Sequence, residues 1–254
     1  MGLSTNVLWH QTSFDGLKSI IQNRRLTCSY SLETIIWKGS ELKRAFPMIS
    51  FCDLPFSDMS EYLTNKDGSV TGKYGRYTIG MKRTWGKDNK LSPVWYRDKE
   101  SLSLRCQKEI YDVFKDKKFE DYTSEERFLW HVTANTKNIE GKLKKHGFES
   151  YRFYDECEFR YIPSFEYLLA NGIEPSLSEE DYETYKIEHD GRSLIEAVNI
   201  PFTIADISYI LVSKANKISD VKNLFEEEDC SKILFISYEQ IMNDFIGISH
   251  NREL

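Results

Sequence analysis

The sequence lacks long apolar runs, and its five cysteines are scattered without any CxxC spacing. No stretch reaches the ~18–20 apolar residues that a membrane-spanning helix needs, and no basic segment followed by an apolar core marks a secretory signal. Unpaired, irregularly spaced cysteines are typical of reduced, mostly buried thiols and do not form a zinc motif. We therefore expect a cytoplasmic protein with no membrane association and no metal.

Glycine-rich phosphate loops and the GxSxG nucleophile motif are also missing, which argues against Walker-type nucleotide binding, dinucleotide-binding folds and serine hydrolases. The formal net charge of −6 disfavours nucleic acid as a general ligand, because such binding needs clustered Lys and Arg. No helix-turn-helix pattern with a basic recognition helix is evident.

Hydrophobic residues make up 40% of the chain and aromatic residues 14%, which indicates a folded globular protein. Alternating or proline-bounded apolar segments predict strands, and apolar residues at helical spacing predict helices. A strand at 7–10 is followed by a helix to Arg24, with Thr12 and Asp15 at the spacing of a capping box. Further strands are predicted at 48–54 and 77–81, helices at 102–113 and 124–135, and a strand–turn–strand unit at 148–162 around Asp155. The apolar positions Leu102, Cys106, Ile110 and Val113 predict the buried face of the first of these helices.

The last third predicts a strand at 207–212, a Ser219-capped helix to 228, a strand at 232–237 and a helix through Phe245. Strand–helix–strand with short links favours a parallel crossover pair. The expected fold is α+β, a mixed twisted β-sheet flanked by helices with a strand–helix–strand C-terminal lobe. We expect one domain over residues 1–254, with a soft boundary near 171–183 between a motif-bearing part (1–170) and that lobe (184–254).

Polar residues gather around His10, where a strand meets a helix N-terminus. Gln11, Thr12 and Ser13 follow it, and unpaired backbone N–H groups at such a terminus favour anions, including phosphates. A core histidine satisfied by one hydrogen bond is the alternative interpretation.

Glu156, Glu158 and Arg160 lie among aromatic residues at 154–161. On a strand, Glu158 and Arg160 share one face, and a carboxylate held by a neighbouring arginine stays ionised and can stabilise a developing positive charge. Glu156 precedes Glu158 by two positions. The alternative is an internal Glu–Arg pair that pins two strands together.

Tyrosines flank a glycine and an arginine at 73–77. Tyr74 and Tyr77 suit stacking on a planar ring, with Arg76 available for phosphates, although they suit core packing as well.

Four blocks together resemble the AbiGi family of bacterial abortive phage-resistance proteins. They are LWHQTSF at 8–14, PMISFCDLP at 47–55, KYGRYTIG at 73–80 and YDECEFRYIP at 154–163. The resemblance implies a role in phage defence, as the antitoxin half of a two-gene system with a cognate toxin encoded nearby. Antitoxin describes a genetic role and does not specify any chemistry.

A more distant resemblance is to ADP-ribosyltransferases, in which a first strand carries His followed by Thr or Ser, a middle strand supplies Ser or Tyr, and a late strand supplies a catalytic Glu. His10-Gln11-Thr12 is similar to the first part and Glu156-Cys157-Glu158 to the last, whereas Ile49-Ser50-Phe51 is only a candidate for the middle strand. The resemblance implies that NAD is the cofactor.

In this reading Glu158 would stabilise an oxocarbenium-like transition state, with Glu156 as the alternative acid. His10, with Thr12, would contact the NAD ribose, and Tyr74 or Tyr77 would stack on nicotinamide; Arg76 and Arg160 would complete the binding site. The competing hypothesis is a non-catalytic antitoxin that binds and neutralises its toxin.

Overall fold

A computed structural model of the chain describes residues 5–37, 40–64, 74–143, 148–225 and 229–242. The motif-bearing part contains these strands and helices, in chain order: β1 (Val7–Thr12), α1 (Phe14–Asn23), β2 (Arg25–Trp37), β3 (Ser40–Cys52), α2 (Phe56–Leu63), β4 (Tyr77–Lys82), α3 (Arg83–Asp88), β5 (Ser92–Pro93), β6 (Trp95–Arg97), α4 (Leu102–Phe114), α5 (Ser124–Ala134), β7 (Thr136–Asn138), β8 (Gly141–Leu143), β9 (Phe148–Tyr151), β10 (Glu158–Tyr161) and α6 (Phe165–Ala170).

The remainder of the described chain contains α7 (Glu179–Glu188), β11 (Leu194–Pro201), β12 (Ile207–Val212), α8 (Ile218–Lys222) and β13 (Leu234–Ser237). Residues 238–242 are helical. The expected α+β class is confirmed.

The main sheet has the strand order β11-β2-β3-β1-β4-β12-β13, with β10 paired to β3 and β5. It is mixed: β12 and β13 run parallel, as the strand–helix–strand pattern predicted, while β1, β3, β4 and β10 pair antiparallel. β11, β12 and β13 of the last third therefore belong to the same sheet as the strands that carry the sequence motifs.

The sheet is covered on both faces around β1. Leu8 belongs to a large core with Leu17, Phe46 and Ile79, whereas Val7 and Trp9 pack in a second cluster that includes Cys52. Burial of both faces explains why β1 begins with the unbroken apolar run VLW instead of alternating apolar and polar residues.

α1 begins one residue later than the capping-box pattern predicted. Ser13, not Thr12, is the N-cap, and its hydroxyl accepts a hydrogen bond from the Gly16 N–H at 3.0 Å. Arg24 closes the helix in the left-handed conformation with φ 51°. A serine hydroxyl at the N-cap satisfies one of the helix's unpaired N–H groups as well as threonine would, so the spacing alone did not distinguish the two.

α4 has the predicted length, but the predicted buried face was wrong. Leu102, Ile110 and Val113 are 70%, 54% and 76% exposed, and Cys106 is exposed as well. The buried residues are Leu104, Gln107, Tyr111 and Phe114. Both sets recur at helical spacing, and the larger aromatic side chains of the second set are the ones that pack into the core.

Other expectations need smaller corrections. β3 starts well before the predicted 48–54 segment and pairs along its whole length with β2 or β10. The strands at 148–162 exist, but β9 pairs with β8, so they do not form a hairpin with each other. Ser219 lies inside α8 instead of capping it. The predicted end of that helix at 228 and the helix end at Phe245 lie outside the described residues.

The thiols were expected to be mostly buried, and this was wrong. Cys28 and Cys52 are buried, Cys230 is half-buried, and Cys106 and Cys157 are exposed. Within the described ranges, no helix has the length and apolar character needed to cross a membrane.

Candidate functional site

The local backbone directs two acids of the 154–161 segment to the same place. A short 3-10 helix spans Phe153–Glu156, and Cys157 then adopts a left-handed conformation with φ 45° before β10 begins. Glu156 is 2% exposed and Glu158 is 4% exposed. Both carboxylates are therefore buried, whereas the thiol of Cys157 between them is exposed.

An ionic cluster joins these acids to Arg160 on β10, to Lys137 on β7 and to Glu33 on β2. Arg160 makes a two-pronged contact with Glu158, with Nε–Oε1 and Nη2–Oε2 distances of 2.7 and 3.1 Å. Arg160 Nη2 also donates to Glu33 on β2 at 2.6 Å. Lys137 on β7 donates to Glu158 at 2.8 Å and to Glu156 at 3.3 Å. Three carboxylates and two cations thus share one site, which gives a net charge of −1 when all are ionised.

Electrostatics keeps Glu158, Lys137 and Arg160 ionised. Burial by itself would raise the pKa of Glu158, but the charges of Arg160 and Lys137 outweigh it and hold that pKa well below its ordinary value. Burial would lower the pKa of Lys137, and the neighbouring carboxylates instead raise it. Burial likewise disfavours charge on Arg160, yet Glu158 and Glu33 raise its pKa. Glu158 is consequently a fixed negative charge at neutral pH and is unsuited to donating a proton.

Tyrosine hydroxyls surround the two acids. The Tyr74 hydroxyl donates to Glu156 Oε1 at 2.5 Å, and Tyr96 Oη accepts the Glu158 backbone N–H at 2.8 Å. Burial and the charge of Glu156 raise the pKa of both Tyr74 and Tyr151, so both hydroxyls stay protonated as donors. Two rings also reach solvent, with Tyr74 42% and Tyr154 50% exposed.

Tyr74 connects this site to the end of β1. Its backbone N–H donates to Gln11 Oε1 at 2.8 Å while its hydroxyl holds Glu156. Gly75 permits the approach, because a Cβ there would lie 2.2 Å from the carbonyl oxygen of Thr12. The segment around His10 and the segment around Glu158 are therefore linked through Tyr74.

His10 itself does not join the cluster, contrary to the expected pairing with Glu158. Trp9 and Glu158 are both registered opposite Cys52 and so share its sheet face, whereas the next residue, His10, points to the other face. There its ring lies 5.5 Å from that of Phe51, and Nδ1 is 2.9 Å from the Ser50 carbonyl oxygen. Burial lowers the pKa of His10 more than that hydrogen bond raises it, which favours the neutral imidazole.

The other predicted site residues are distributed around this region. Thr12 is half-buried and packs against Gly16 of α1. Tyr77 is 8% exposed and contacts the ring of Phe14 at 5.3 Å, so it belongs to the core. Arg76 is exposed, and Lys73 lies outside the described residues.

Sequence reasoning missed three members of the site, namely Glu33, Lys137 and Gln11 as a side chain that contacts Tyr74. Glu33 and Lys137 contact Arg160 and Glu158 across 127 and 21 positions of chain, and neither belongs to a recognisable motif. Alternation along β1 places Gln11 on the opposite face from His10, but it does not indicate which of the two faces the site. No group of three metal-ligating side chains suited to an ion occurs among the described residues.

The fold and the site define an α+β protein with a buried ionic cluster at the junction of β10, β2 and β7. The family model described as abortive phage resistance protein AbiGi, antitoxin, matches residues 25–213. That range is well over half of the 254-residue chain, and the protein belongs to the AbiGi family. The resemblance to this family seen in the sequence is thereby confirmed.

A curated relative, the abortive phage resistance protein AbiGi of Lactococcus lactis subsp. cremoris, is 26% identical over 228 residues, covering 78% of this chain and 88% of the relative. Thermus sp. 2.9 DarT in complex with NAD+ matches with a TM-score of 0.36 and 10% identity, covering 95% of this chain and 99% of that one. The same protein with carba-NAD+ matches with a TM-score of 0.34 and 10% identity, covering 91% and 94%.

Proposed function

We propose that this AbiGi protein acts in abortive phage defence and that the site around Glu158 binds NAD, as an ADP-ribosyltransferase or NAD hydrolase does. The observation that carries the proposal is the arrangement of the site. Glu158, an ionised carboxylate, shares the Lys137 cation with Glu156, and the exposed Tyr154 lies in the same short 3-10 helix as Glu156. The hydroxyl of the partly exposed Tyr74 bonds to Glu156, and its backbone N–H bonds to Gln11 of the first strand.

This arrangement suits a planar cation. The nicotinamide ring of NAD+ is positively charged, and tyrosine faces attract cations by about 0.5–2 kcal/mol. When the bond between nicotinamide and ribose breaks, positive charge develops on the sugar. An ionised carboxylate held in place before the reaction stabilises that charge without having to reorganise. The lowered pKa of Glu158 fits this electrostatic role.

The remaining assignments belong to the same proposal. Exposed Arg76, next to the Gly75 turn, is available for the phosphates. The ribose contact of His10 and Thr12, expected from the ADP-ribosyltransferase resemblance, requires a ligand that reaches the opposite face of β1. Variants at His10 test that contact separately from the site itself.

Titration calorimetry with NAD+ and NADH, together with an assay for released nicotinamide, tests the proposal. We expect NAD+ to bind more tightly than NADH, because reduction neutralises the ring, and Tyr154→Ala to weaken NAD+ binding roughly 3-fold to 30-fold. Tyr167→Ala is the matched control, since Tyr167 is 44% exposed but bonds to Ala197 on another surface. Equal effects of the two substitutions, or no binding by the wild type, would contradict an NAD site here.

A second candidate is a non-catalytic antitoxin that neutralises a cognate toxin by binding it. One observation favours it: both oxygens of Glu158 are already engaged by Arg160 and Lys137, as in an ion-pair network that only pins strands together. The exposed apolar stripe of α4 (Leu102, Cys106, Ile110 and Val113) is then available for a protein partner.

Co-expression with the neighbouring gene product separates the candidates. An antitoxin is expected to co-purify with that product, to relieve its toxicity and to retain both properties in Glu158→Gln. Toxicity of the chain when it is expressed alone, abolished by Glu158→Gln in a folded protein, would instead support the enzyme. Circular dichroism and thermal unfolding of the variant establish that it is folded.

A further inference from the structure

Gln11 has an unusual hydrogen-bonding state for a buried amide. The residue is 8% exposed, and its Oε1 accepts the Tyr74 backbone N–H at 2.8 Å. Because a backbone N–H can only donate, the oxygen of the amide must face Tyr74, and this fixes the orientation of the side chain. The buried Nε2, with its two N–H donors, then has no hydrogen-bond partner in the part of the chain that the structure describes.

The large majority of buried side-chain polar atoms in folded proteins have a hydrogen-bond partner. The position of the amide points to a ligand. Gln11 lies two residues beyond Trp9 and therefore on the face of the sheet that carries Cys52 and Glu158. Through Tyr74, whose backbone N–H bonds to Gln11 and whose hydroxyl bonds to Glu156, the amide is connected to the proposed site.

We infer that Gln11, rather than its neighbour His10, is the residue of the first strand that recognises the ligand, and that its Nε2 donates to the amide carbonyl oxygen of the nicotinamide ring. The inference rests on the proposed NAD site and assigns a specificity-determining residue within it. The ring is the cationic part of NAD+, so the tyrosines and carboxylates attract it. Its carboxamide is the hydrogen-bond acceptor attached to that ring, and a donor held against Tyr74 meets it there.

The test uses three ligands that differ only at this group. NAD+ and its 3-acetylpyridine analogue both carry the carbonyl oxygen, whereas pyridine adenine dinucleotide lacks the group. We expect the wild-type protein to bind the first two with similar affinity and the third roughly 3-fold to 10-fold more weakly, the worth of one neutral hydrogen bond.

Two substitutions then ask whether Gln11 is responsible. Gln11→Glu keeps an oxygen for the Tyr74 N–H but removes both Nε2 donors, and Gln11→Met removes donors and acceptor at similar length. In both variants the discrimination among the three ligands is expected to fall to nearly 1-fold. Thermal unfolding of each variant without ligand reports whether the amide serves the fold instead.

The possible failures can be distinguished. If the wild type binds none of the three ligands, the proposed function fails together with the inference. If it binds NAD+ but does not discriminate against pyridine adenine dinucleotide, the inference alone is overturned, even should neither variant fold. Discrimination that persists in the variants, or a uniform weakening of all three ligands, likewise overturns the assignment of Gln11 to the carbonyl oxygen.

Discussion

β10 and α4 are opposites in how they place polar and apolar side chains. On β10, Glu158 and Arg160 are buried; on α4, Leu102 and Val113 are exposed. The charged strand is acceptable in the interior because each charge has partners from other elements, and unpaired burial would be costly. The comparison shows that the polarity of a side chain does not by itself decide whether it is buried. On β10 the charged side chains are buried because they have ionic partners, and on α4 the opposite face is buried because it packs better.

The largest expected effect is on the charged strand. Arg160→Met should destabilise the fold by about 3–5 kcal/mol, because it leaves Glu158 and Glu33 buried without their shared cation. Denaturant unfolding measures this loss. Arg127→Met is the control, since Arg127 pairs with the exposed Glu166 and should cost about 1 kcal/mol or less. Similar losses of unfolding free energy in the two variants would mean that the ion pairs of Arg160 contribute no more than an exposed ion pair does.

A matched pair of leucines tests the helix. Leu104 is 1% exposed and Leu102 is 70% exposed on the same α4. Leu104→Ala should cost about 2–5 kcal/mol through lost burial and the resulting cavity, whereas Leu102→Ala should change stability by about 0.5 kcal/mol or less. Chemical denaturation of both variants checks the difference. A larger loss for Leu102→Ala than for Leu104→Ala would instead support the buried face of α4 that was predicted from the sequence.

The pH dependence of stability sharpens the account of Glu158. Its pKa is lower in the folded than in the unfolded protein, so its contribution is complete above the unfolded pKa of about 4.3 and is lost as the pH falls below that value. Between pH 5 and pH 3 the wild type should therefore lose about 1.5 kcal/mol more than Glu158→Gln does. Unfolding at several pH values measures both slopes. Glu166→Gln, at an exposed ion pair, is the control, and an equally flattened slope in that variant would contradict the prediction.

The smallest expected effect concerns the hydroxyl that links the cluster to β1. Tyr74→Phe removes the hydrogen bond to Glu156 but retains the ring and the backbone bond to Gln11. We expect a loss of about 1 kcal/mol in unfolding free energy. Tyr167→Phe, whose hydroxyl contacts an exposed carbonyl, should lose about 0.5 kcal/mol or less. Identical unfolding free energies for Tyr74→Phe and the wild type would mean that the Tyr74 hydroxyl does not stabilise the cluster.

Apart from β3, the predicted elements were placed to within a few residues because periodicity and turn residues are local, whereas β2, α7 and β11 were not predicted. Helix α4, the strand at Tyr77 and the parallel pair of β12 and β13 were all recognised from spacing. The candidate site was only half predictable. Glu158 and Arg160 were expected on one face because they are two residues apart on a strand, whereas Lys137 and Glu33 carried no signal.

The position of His10, on the sheet face opposite Glu158, has a specific cause. A histidine at a strand end resembled a known motif, yet the register through Cys52 places Trp9, and hence Gln11, on the Glu158 face. Neither composition nor spacing reveals which of two alternating sets faces a distant strand, because a shift by one residue exchanges them.

By itself, the sequence determined the α+β class, the order of those elements that it predicted and the placement of Glu158 and Arg160 on one face of a strand. All of these follow from side chains close together along the chain. The tertiary structure decided which face of α4 is buried, which residue of β1 meets Tyr74, and that Lys137 completes the cluster. Those outcomes depend on how elements far apart in sequence pack against one another, and no local pattern contains that information.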